Sequence, residues 1–382
     1  MNLSIPAGRP RVYRIAVSAF FFMAGLTFAT WASRIPDIKT QLQLSDARLG
    51  AILFALPAGL MTSLLFAGWL VARFGSRKIL ISGALLYPAV LVILGLAGNT
   101  WQLAFVLFLF GLSANLVNIA MNTQAVAVES MYGRSVMASF HGLWSMAGFS
   151  GAAIGTLMVS AHLTPRVHFA IIFLSAGLLA LFFYKFTIPN DTGSAEPQPF
   201  FVKPDRYILN LGLIAFCSML CEGAMADWSG VYFQNIVKAP KEFITFGYVA
   251  FTAAMATGRF IGDSMVSKLG IKKVLQLSAV LIAAGLVMSI LFPYLATAVT
   301  GFLLVGLGVS SIVPLIYSLA GKSGTMPPGL ALAAVSSVSF LGFLIGPPLI
   351  GFISEAAGLR LSFAIIAVIG LCPALLANRV KA

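Results

Sequence analysis

Two acidic residues lie inside a long apolar segment, where an ionisable side chain is costly. Glu222 comes 15 residues after the segment begins near residue 207, and Asp227 follows five residues later. If this segment is a membrane-spanning helix, Glu222 lies roughly 22 Å along it, near the centre of the bilayer or slightly beyond. A carboxylate there costs several kcal/mol unless it faces a wet cavity or a partner.

The neighbours of Glu222 indicate a wet cavity. Ser218, Glu222 and Ser229 fall within about 40° on one helical face, which makes a polar stripe. We therefore predict that Glu222 and Asp227 are proton-coupling residues. The alternative is a Glu222 permanently paired with a cation, which would fix helix packing.

An arginine near the end of the first apolar segment is a possible partner for these acids. Thr27, Thr30 and Arg34 lie within about 60° on one face of the predicted first helix. We predict that Thr30 and Arg34 contribute to a solute site and that Arg34 pairs with Asp227 or Glu222. The alternative for Arg34 and Asp227 is ordinary solvation at helix ends.

Uncharged polar side chains mark a second part of the predicted solute site. Asn115, Asn118 and Asn122 lie within about 60° on the predicted fourth helix. Carboxamides both donate and accept hydrogen bonds, which suits hydroxyl-rich or amide solutes. Their alternative role is to hold helices together, at roughly 0.6 kcal/mol each. Tyr317 adds a hydroxyl, and Trp228 adds a ring that stacks on a sugar or, alternatively, anchors its helix at the membrane interface.

A few charged residues near the ends of predicted helices are candidate gating residues. Arg259 and Asp263 are four residues apart near the end of the predicted eighth helix, so they can satisfy each other structurally. The functional alternative is a gate that opens and closes, with Glu129 at the end of the fourth helix as a further member. The sequence leaves both roles open.

The elements that must position these residues are membrane-spanning helices. The chain is 59% hydrophobic and only 9% charged, against about a quarter charged in soluble domains. A hydrocarbon core about 30 Å thick needs roughly 20 apolar residues per helix. The sequence contains twelve such segments, near 12–35, 47–71, 79–98, 101–125, 136–160, 166–186, 207–232, 243–266, 273–293, 296–319, 328–354 and 360–378. The predicted fold class is an all-α integral membrane protein.

The basic residues predict how the chain is oriented. With both termini in the cytoplasm, most lysines and arginines fall on the cytoplasmic side, whereas those outside are Arg34, Lys39, Arg48, Arg166, Lys238, Lys241 and Arg360. This distribution follows the positive-inside rule, and it accounts for most of the net charge of +13. The first helix is too long for a cleaved signal peptide and is expected to be retained. We predict a multi-pass protein of a bacterial inner membrane.

A polar break and an internal repeat divide the chain into two halves. Residues 187–206 are rich in proline and polar residues, so they cannot continue a helix. Aligning Gly75 with Gly270 also aligns Arg77 with Lys272 and Gly111 with Gly306 at one constant offset. We predict an N-terminal six-helix bundle at 1–187, a linker at 188–206 and a pseudo-symmetric C-terminal bundle at 207–382. In such parallel repeats the solute binds near the midplane between the halves.

The hairpin between the second and third predicted helices resembles that of the major facilitator superfamily. The family pattern Gly-x-Leu-x-Asp-Arg-x-Gly-Arg-Arg/Lys is matched by Gly68, Leu70, Arg73, Gly75 and Arg77, and it returns in degraded form around Gly270. The resemblance implies alternating access, with Arg73 and Arg77 stabilising one gating state. Ala72 replaces the family's acidic residue, so a salt bridge from that position cannot form, and plain anchoring at the membrane surface is the alternative role for both arginines.

Shorter stretches are similar to a bacterial branch of this superfamily near the fucose permeases. They are residues 31–38, 140–145 and 222–229. Leu107 stands where many proton-coupled members carry an arginine, and the fifth helix lacks the Gly-Pro motif of drug antiporters. Both absences argue against multidrug efflux.

Other classes of function have no signature in the sequence. It has no phosphate-cradling glycine loop and no cluster with metal-ligand spacing, so we expect no enzyme, cofactor or metal site. It has no basic soluble domain for nucleic acid. The expected partners are a small-molecule solute, protons and the lipid bilayer, and a monomer is expected. The predicted function is proton-coupled symport of a small polar solute, with a sugar-like metabolite favoured. The alternatives are a proton-driven efflux antiporter and a non-transporting membrane sensor.

Overall fold

The computed structural model describes residues 10–132, 136–189, 205–323 and 328–380, with the side chains at positions 138, 263, 328 and 329 outside the description. Over these ranges the chain forms helices and no strand. The α-helices are α1 (Pro10–Ser33), α2 (Ile35–Gln41), α3 (Asp46–Leu53), α4 (Ala55–Phe74), α5 (Ser76–Leu94), α6 (Thr100–Tyr132), α7 (Met137–Ser160), α8 (Pro165–Tyr184), α9 (Arg206–Asn235), α10 (Phe246–Leu269), α11 (Ile271–Leu291), α12 (Leu295–Gly321), α13 (Pro328–Ala357) and α14 (Leu359–Leu376).

Twelve stretches within the described ranges are long and apolar enough to cross a membrane. This number confirms the predicted count. The second stretch, Asp46–Phe74, differs from the prediction because it consists of two helices, α3 and α4, that meet at Phe54. A short helix, α2, also follows directly on α1 where the sequence predicted a loop.

The described residues group into two compact units. The N-terminal unit comprises 10–34, 55–132 and 136–189, and the C-terminal unit comprises 35–54, 205–323 and 328–380. The predicted limits of 1–187 and 207–382 remain a prediction, and residues 190–204 of the predicted linker lie outside the described ranges. The segment 35–54, which the prediction gave to the first bundle, is grouped by its contacts with the second unit.

The two units repeat the same helix order with an offset of 195 residues. Helices α5 and α11 begin at Ser76 and Ile271, and α6 and α12 begin at Thr100 and Leu295. The residue before α5 and the residue before α11 are Gly75 and Gly270, with φ of 85° and 79°. A side chain is strained at such positive φ values, so glycine permits the tight turn in both halves. The repeat predicted from the hairpins is therefore confirmed in the structure.

A close helix crossing is repeated as well. A Cβ atom on Gly111 would overlap the carbonyl oxygen of Leu56 in α4, and one on Gly306 would overlap that of Phe251 in α10. These contact pairs are also separated by 195 residues. Small residues at crossings let membrane helices approach closely, and dispersion contacts then hold them together.

The segment 35–54 packs on the C-terminal unit through α2 against α9 and α3 against α13. Gly50 and Gly351 lie at the closest approach, where a Cβ on Gly50 would come within 2.9 Å of the Gly351 Cα. Lys39 Nζ forms a salt bridge of 2.6 Å with Asp46 Oδ1, and the hydroxyl of Ser354 donates to the other oxygen of Asp46. The segment is thus fixed by both packing and charge.

Candidate functional site

Glu222 and Asp227 lie on α9, which has more buried residues than any other described helix of the C-terminal unit. Both carboxylate side chains keep part of their surface accessible. Neither makes a hydrogen bond or salt bridge with the described residues of its own unit. Arg259 of α10 is the cation whose charge acts on Glu222, and the buried Tyr248 lies within electrostatic range of both acids.

The polar stripe predicted beside Glu222 is present on the same helix. The hydroxyl of Ser218 is buried and has no hydrogen-bond partner among the described residues, and Ser229 is buried as well. Close packing continues at Gly223, where a Cβ would lie 2.9 Å from the ring of Phe343. Glu222 therefore lies on a closely packed helix while part of its own surface stays accessible.

Arg34 lies at the junction between α1 and α2 and is almost fully buried, with 1% of its surface exposed. Within the N-terminal unit, its Nε donates to His168 Nδ1 at 3.2 Å, and its Nη2 donates to the carbonyl oxygen of Leu163 at 2.6 Å. Solvation at a helix end, one of the two predicted roles, is therefore wrong for Arg34. Its predicted pairing with Asp227 or Glu222 stays a prediction.

His168 is a residue that the sequence analysis missed. Because its Nδ1 accepts a hydrogen bond, the geometry assigns the proton to Nε2 of a neutral imidazole, and Nε2 is buried with no partner in the described part of the unit. The residue 195 positions later is Phe363, whose ring stacks on Tyr232 at 4.3 Å. One signal in the sequence could have identified His168: it is a histidine at a position where the other repeat has a phenylalanine that packs against a ring.

The three asparagines of α6 do not share one environment. Asn118 is exposed, and Asn122 donates from its Nδ2 to the backbone oxygen of Asn118 at 2.7 Å and to its Oδ1 at 2.9 Å. Asn115 is buried, with 2% of its surface exposed and its Nδ2 unpartnered among the described residues. The structure therefore divides the predicted stripe into an accessible pair and a buried residue.

The remaining residues of the predicted solute site turn mostly inward. Thr30 donates to the carbonyl oxygen of Leu26 in its own helix at 2.8 Å. Tyr317 is half-buried and its hydroxyl accepts a hydrogen bond of 3.1 Å from Ser336. Trp228 is fully buried, so its ring is closed to a solute in this structure.

The two arginines of the basic hairpin differ in their surroundings. Arg77 donates from Nη2 to the carbonyl oxygen of Tyr184 at 3.2 Å, and its guanidinium lies over the Tyr184 ring at 4.5 Å. A cation at the end of α8 also stabilises the helix dipole. Arg73 is exposed and has rings of its own helix as neighbours.

The other predicted gating residues are only partly described. Glu129 accepts from the backbone N–H groups of Val136 and Met137 at 2.7 and 2.8 Å, so it caps the start of α7. Arg259 Nη2 contacts the sulfur of Met255 at 3.8 Å. The side chain of Asp263 lies outside the description, and its pairing with Arg259 stays a prediction.

Comparison with known proteins decides the family. The family model described as Major Facilitator Superfamily matches residues 15–328. The chain belongs to the major facilitator superfamily. An uncharacterized transporter of this superfamily from Yersinia pestis is 33% identical over 93% of this chain and 92% of its own length. Membrane protein MosC of Rhizobium meliloti is 32% identical over 93% of this chain and 87% of its own. The solved structure of the nucleoside transporter NupG superposes with a TM-score of 0.78 at 13% identity, covering 97% of this chain and all of that one.

Membership of the major facilitator superfamily confirms three predictions. The resemblance drawn from the hairpin at residues 68–80 is correct, the fold is the twelve-helix arrangement of two pseudo-symmetric bundles, and the protein is a multi-pass membrane transporter. At 13% identity, the likeness to the nucleoside transporter shows the fold alone. The solute, the coupling ion and the orientation of the termini stay predictions.

Proposed function

We propose that this transporter is a proton-coupled symporter of a small polar solute in the bacterial inner membrane, with both termini in the cytoplasm. A sugar-like metabolite is the favoured solute. The observation that carries the proposal is that the Glu222 carboxylate, on a membrane-spanning helix, has no hydrogen bond or salt bridge with the described residues of its unit.

The surroundings of Glu222 support a proton site rather than a packing role. A structural ion pair holds its two partners in contact, because a buried charge without a partner is strongly destabilising. Arg259 acts on Glu222 electrostatically but makes no salt bridge with it. An accessible acid in this setting can gain and lose a proton as its surroundings change. Asp227, which also makes no such bond with the described residues of its unit, is the second candidate for the proton.

Uncharged polar groups support a polar solute. The pair Asn118 and Asn122 is accessible and retains amide hydrogens and a carbonyl oxygen beyond those used in the bonds between the two residues. The other unit supplies the hydroxyl of Tyr317. Arg34, Thr30, Trp228 and Asn115 belong to the proposed site as residues that a change of conformation would have to expose. Arg73, Arg77, Glu129, Arg259 and Asp263 are proposed to contribute to gating.

The solute is found first, by thermal shift of the purified protein against a metabolite library that includes L-fucose and uridine. A ligand that binds only the folded state raises its stability by mass action. The compound giving the largest shift is then used, radiolabelled, in liposomes that contain the protein.

Glu222→Gln is the decisive variant because it imitates the protonated acid. If Glu222 is the proton site, the variant loses proton-driven accumulation and keeps counterflow, since counterflow needs only the loaded carrier to reorient. Glu242→Gln, at an exposed acid in the short 3-10 helix before α10, is the matched control and should preserve both. Loss of accumulation and counterflow together would indicate a structural role, and unimpaired accumulation would remove Glu222 from the mechanism. Efflux of the same solute driven by an inward proton gradient would identify the antiporter alternative.

A further inference from the structure

Three side chains at the end of α4 form a cationic and aromatic cluster on the surface, here called the Arg73 cluster. The Arg73 guanidinium lies 5.2 Å from the centre of the Trp69 ring and 5.6 Å from that of Phe74. The two rings meet edge to face at 6.2 Å. Trp69 and Phe74 are 56% and 45% exposed, so the cluster faces outward instead of filling a core.

Arg73 has no acidic partner among the described residues of its unit. It makes no hydrogen bond or salt bridge with the described residues there, and Ala72 occupies the position that is acidic in the superfamily pattern. Arg77 differs because the Tyr184 carbonyl and ring already hold its guanidinium. The rings leave the hydrogen-bond donors of Arg73 available, since a ring face contacts the plane of a guanidinium and its N–H groups lie in that plane.

The position of the cluster in the membrane determines which acceptor is present. Leu65, Trp69 and Arg73 follow one another at intervals of four residues, so they form one stripe along α4. Leu65 is 64% exposed, as expected for a side chain against lipid tails, and Arg73 lies in the last turn of the same membrane-spanning helix. Tryptophan is typical of the level of the lipid headgroups. The stripe thus passes from the acyl chains to the headgroup layer.

We propose that the Arg73 cluster binds the headgroup phosphate of an anionic phospholipid. A guanidinium matches a phosphate with two parallel hydrogen bonds, and the rings of Trp69 and Phe74 hold it in place while contacting the first acyl carbons. The unbalanced charge of Arg73 selects an anionic lipid over a zwitterionic one. Lipid binding by the Arg73 cluster does not depend on the proposed symport.

The internal repeat provides a matched control. The residue 195 positions after Arg73 is Lys268, which is exposed near the end of α10, and Ser264 and Leu269 stand where Trp69 and Phe74 stand in the first half. The C-terminal unit therefore offers a similar charge at the corresponding place without the aromatic rings.

The experiment measures lipid binding to the purified full chain by native mass spectrometry, with phosphatidylglycerol, phosphatidylcholine or inorganic phosphate added. We expect retained phosphatidylglycerol, little phosphatidylcholine and no retained inorganic phosphate. Arg73→Ala should weaken phosphatidylglycerol binding roughly tenfold, Trp69→Leu by a smaller factor, and Lys268→Ala should leave it unchanged. Unaltered thermal unfolding of the variants shows that they are folded, as expected for exposed side chains.

Three results would overturn the proposal. The first is an unchanged affinity for phosphatidylglycerol in Arg73→Ala. The second is an equal loss of affinity in Arg73→Ala and Lys268→Ala, which would indicate general attraction by positive charge. The third is equal binding of phosphatidylglycerol and phosphatidylcholine. Retention of inorganic phosphate that Arg73→Ala abolishes, without retention of lipid, would assign the site to a free anion instead.

Discussion

Replacing His168 by phenylalanine tests whether the buried guanidinium of Arg34 depends on the imidazole. The substitution keeps an aromatic ring in place, and the other repeat accommodates a phenylalanine at the corresponding position, Phe363. It removes the acceptor of the Nε hydrogen bond of 3.2 Å. Arg34 is 1% exposed, so water cannot replace the lost acceptor.

The expected cost follows from the charge of the donor. A hydrogen bond to a charged group contributes about 1.5–3 kcal/mol, and a buried charged donor left unpaired costs at least as much. The bond from Arg34 Nη2 to the Leu163 carbonyl remains, which limits the loss. We therefore expect a decrease of about 2 kcal/mol in the free energy of unfolding, equivalent to roughly a thirtyfold change in the equilibrium constant.

Equilibrium unfolding in mixed detergent and dodecyl sulfate micelles measures this change. His168→Asn is the control, because the Asn Oδ1 stands near the original Nδ1 and restores an acceptor; it should recover at least half of the loss. The double variant Arg34→Met, His168→Phe should be more stable than additivity of the single changes predicts, since it also removes the Nε donor that His168→Phe deprives of its acceptor. A wild-type stability for His168→Phe, or an equal loss in His168→Asn, would refute the argument.

Three further predictions concern packing, the segment 35–54 and the predicted solute site. Gly111→Ala should destabilise the protein by about 1–3 kcal/mol, because its Cβ would overlap a carbonyl oxygen of α4. Gly148→Ala, with no atom within 4 Å of the new Cβ, should be neutral or slightly stabilising. The same unfolding assay compares the two variants. Asp46→Ala removes a salt bridge of 2.6 Å and a hydrogen bond, so amide hydrogen exchange of peptides from residues 35–54 should become faster. Arg48→Ala, at an exposed neighbouring residue, should leave the exchange rate unchanged. Asn118→Leu should weaken solute binding in the thermal-shift assay without lowering the stability of the free protein, and retained affinity would show that the asparagine pair serves packing alone.

The fold could be predicted because its determinants are local in the sequence. A helix crosses the bilayer when its own residues are apolar over a sufficient length, so the twelve spans follow from composition along the chain. The repeat was visible because tight turns and close crossings require glycine, and Gly75, Gly111, Gly270 and Gly306 recur at one offset. The break between α3 and α4 was missed, although Pro57, in the first turn of α4, has no backbone N–H to donate to the carbonyl of Leu53 and disfavours a continuous helix there.

By itself, the sequence determined the spans, the two-bundle repeat and the presence of acids within the membrane. Only the tertiary structure decided which groups these acids and the other polar residues contact. Helical periodicity placed three asparagines on one face, but packing buried Asn115 and left Asn118 accessible. The bonds from Arg34 to His168, 134 residues away, and from Ser354 to Asp46, 308 residues away, join distant parts of the chain. No local pattern predicts such contacts, because they depend on which helix faces which, and that is set by packing of the whole unit.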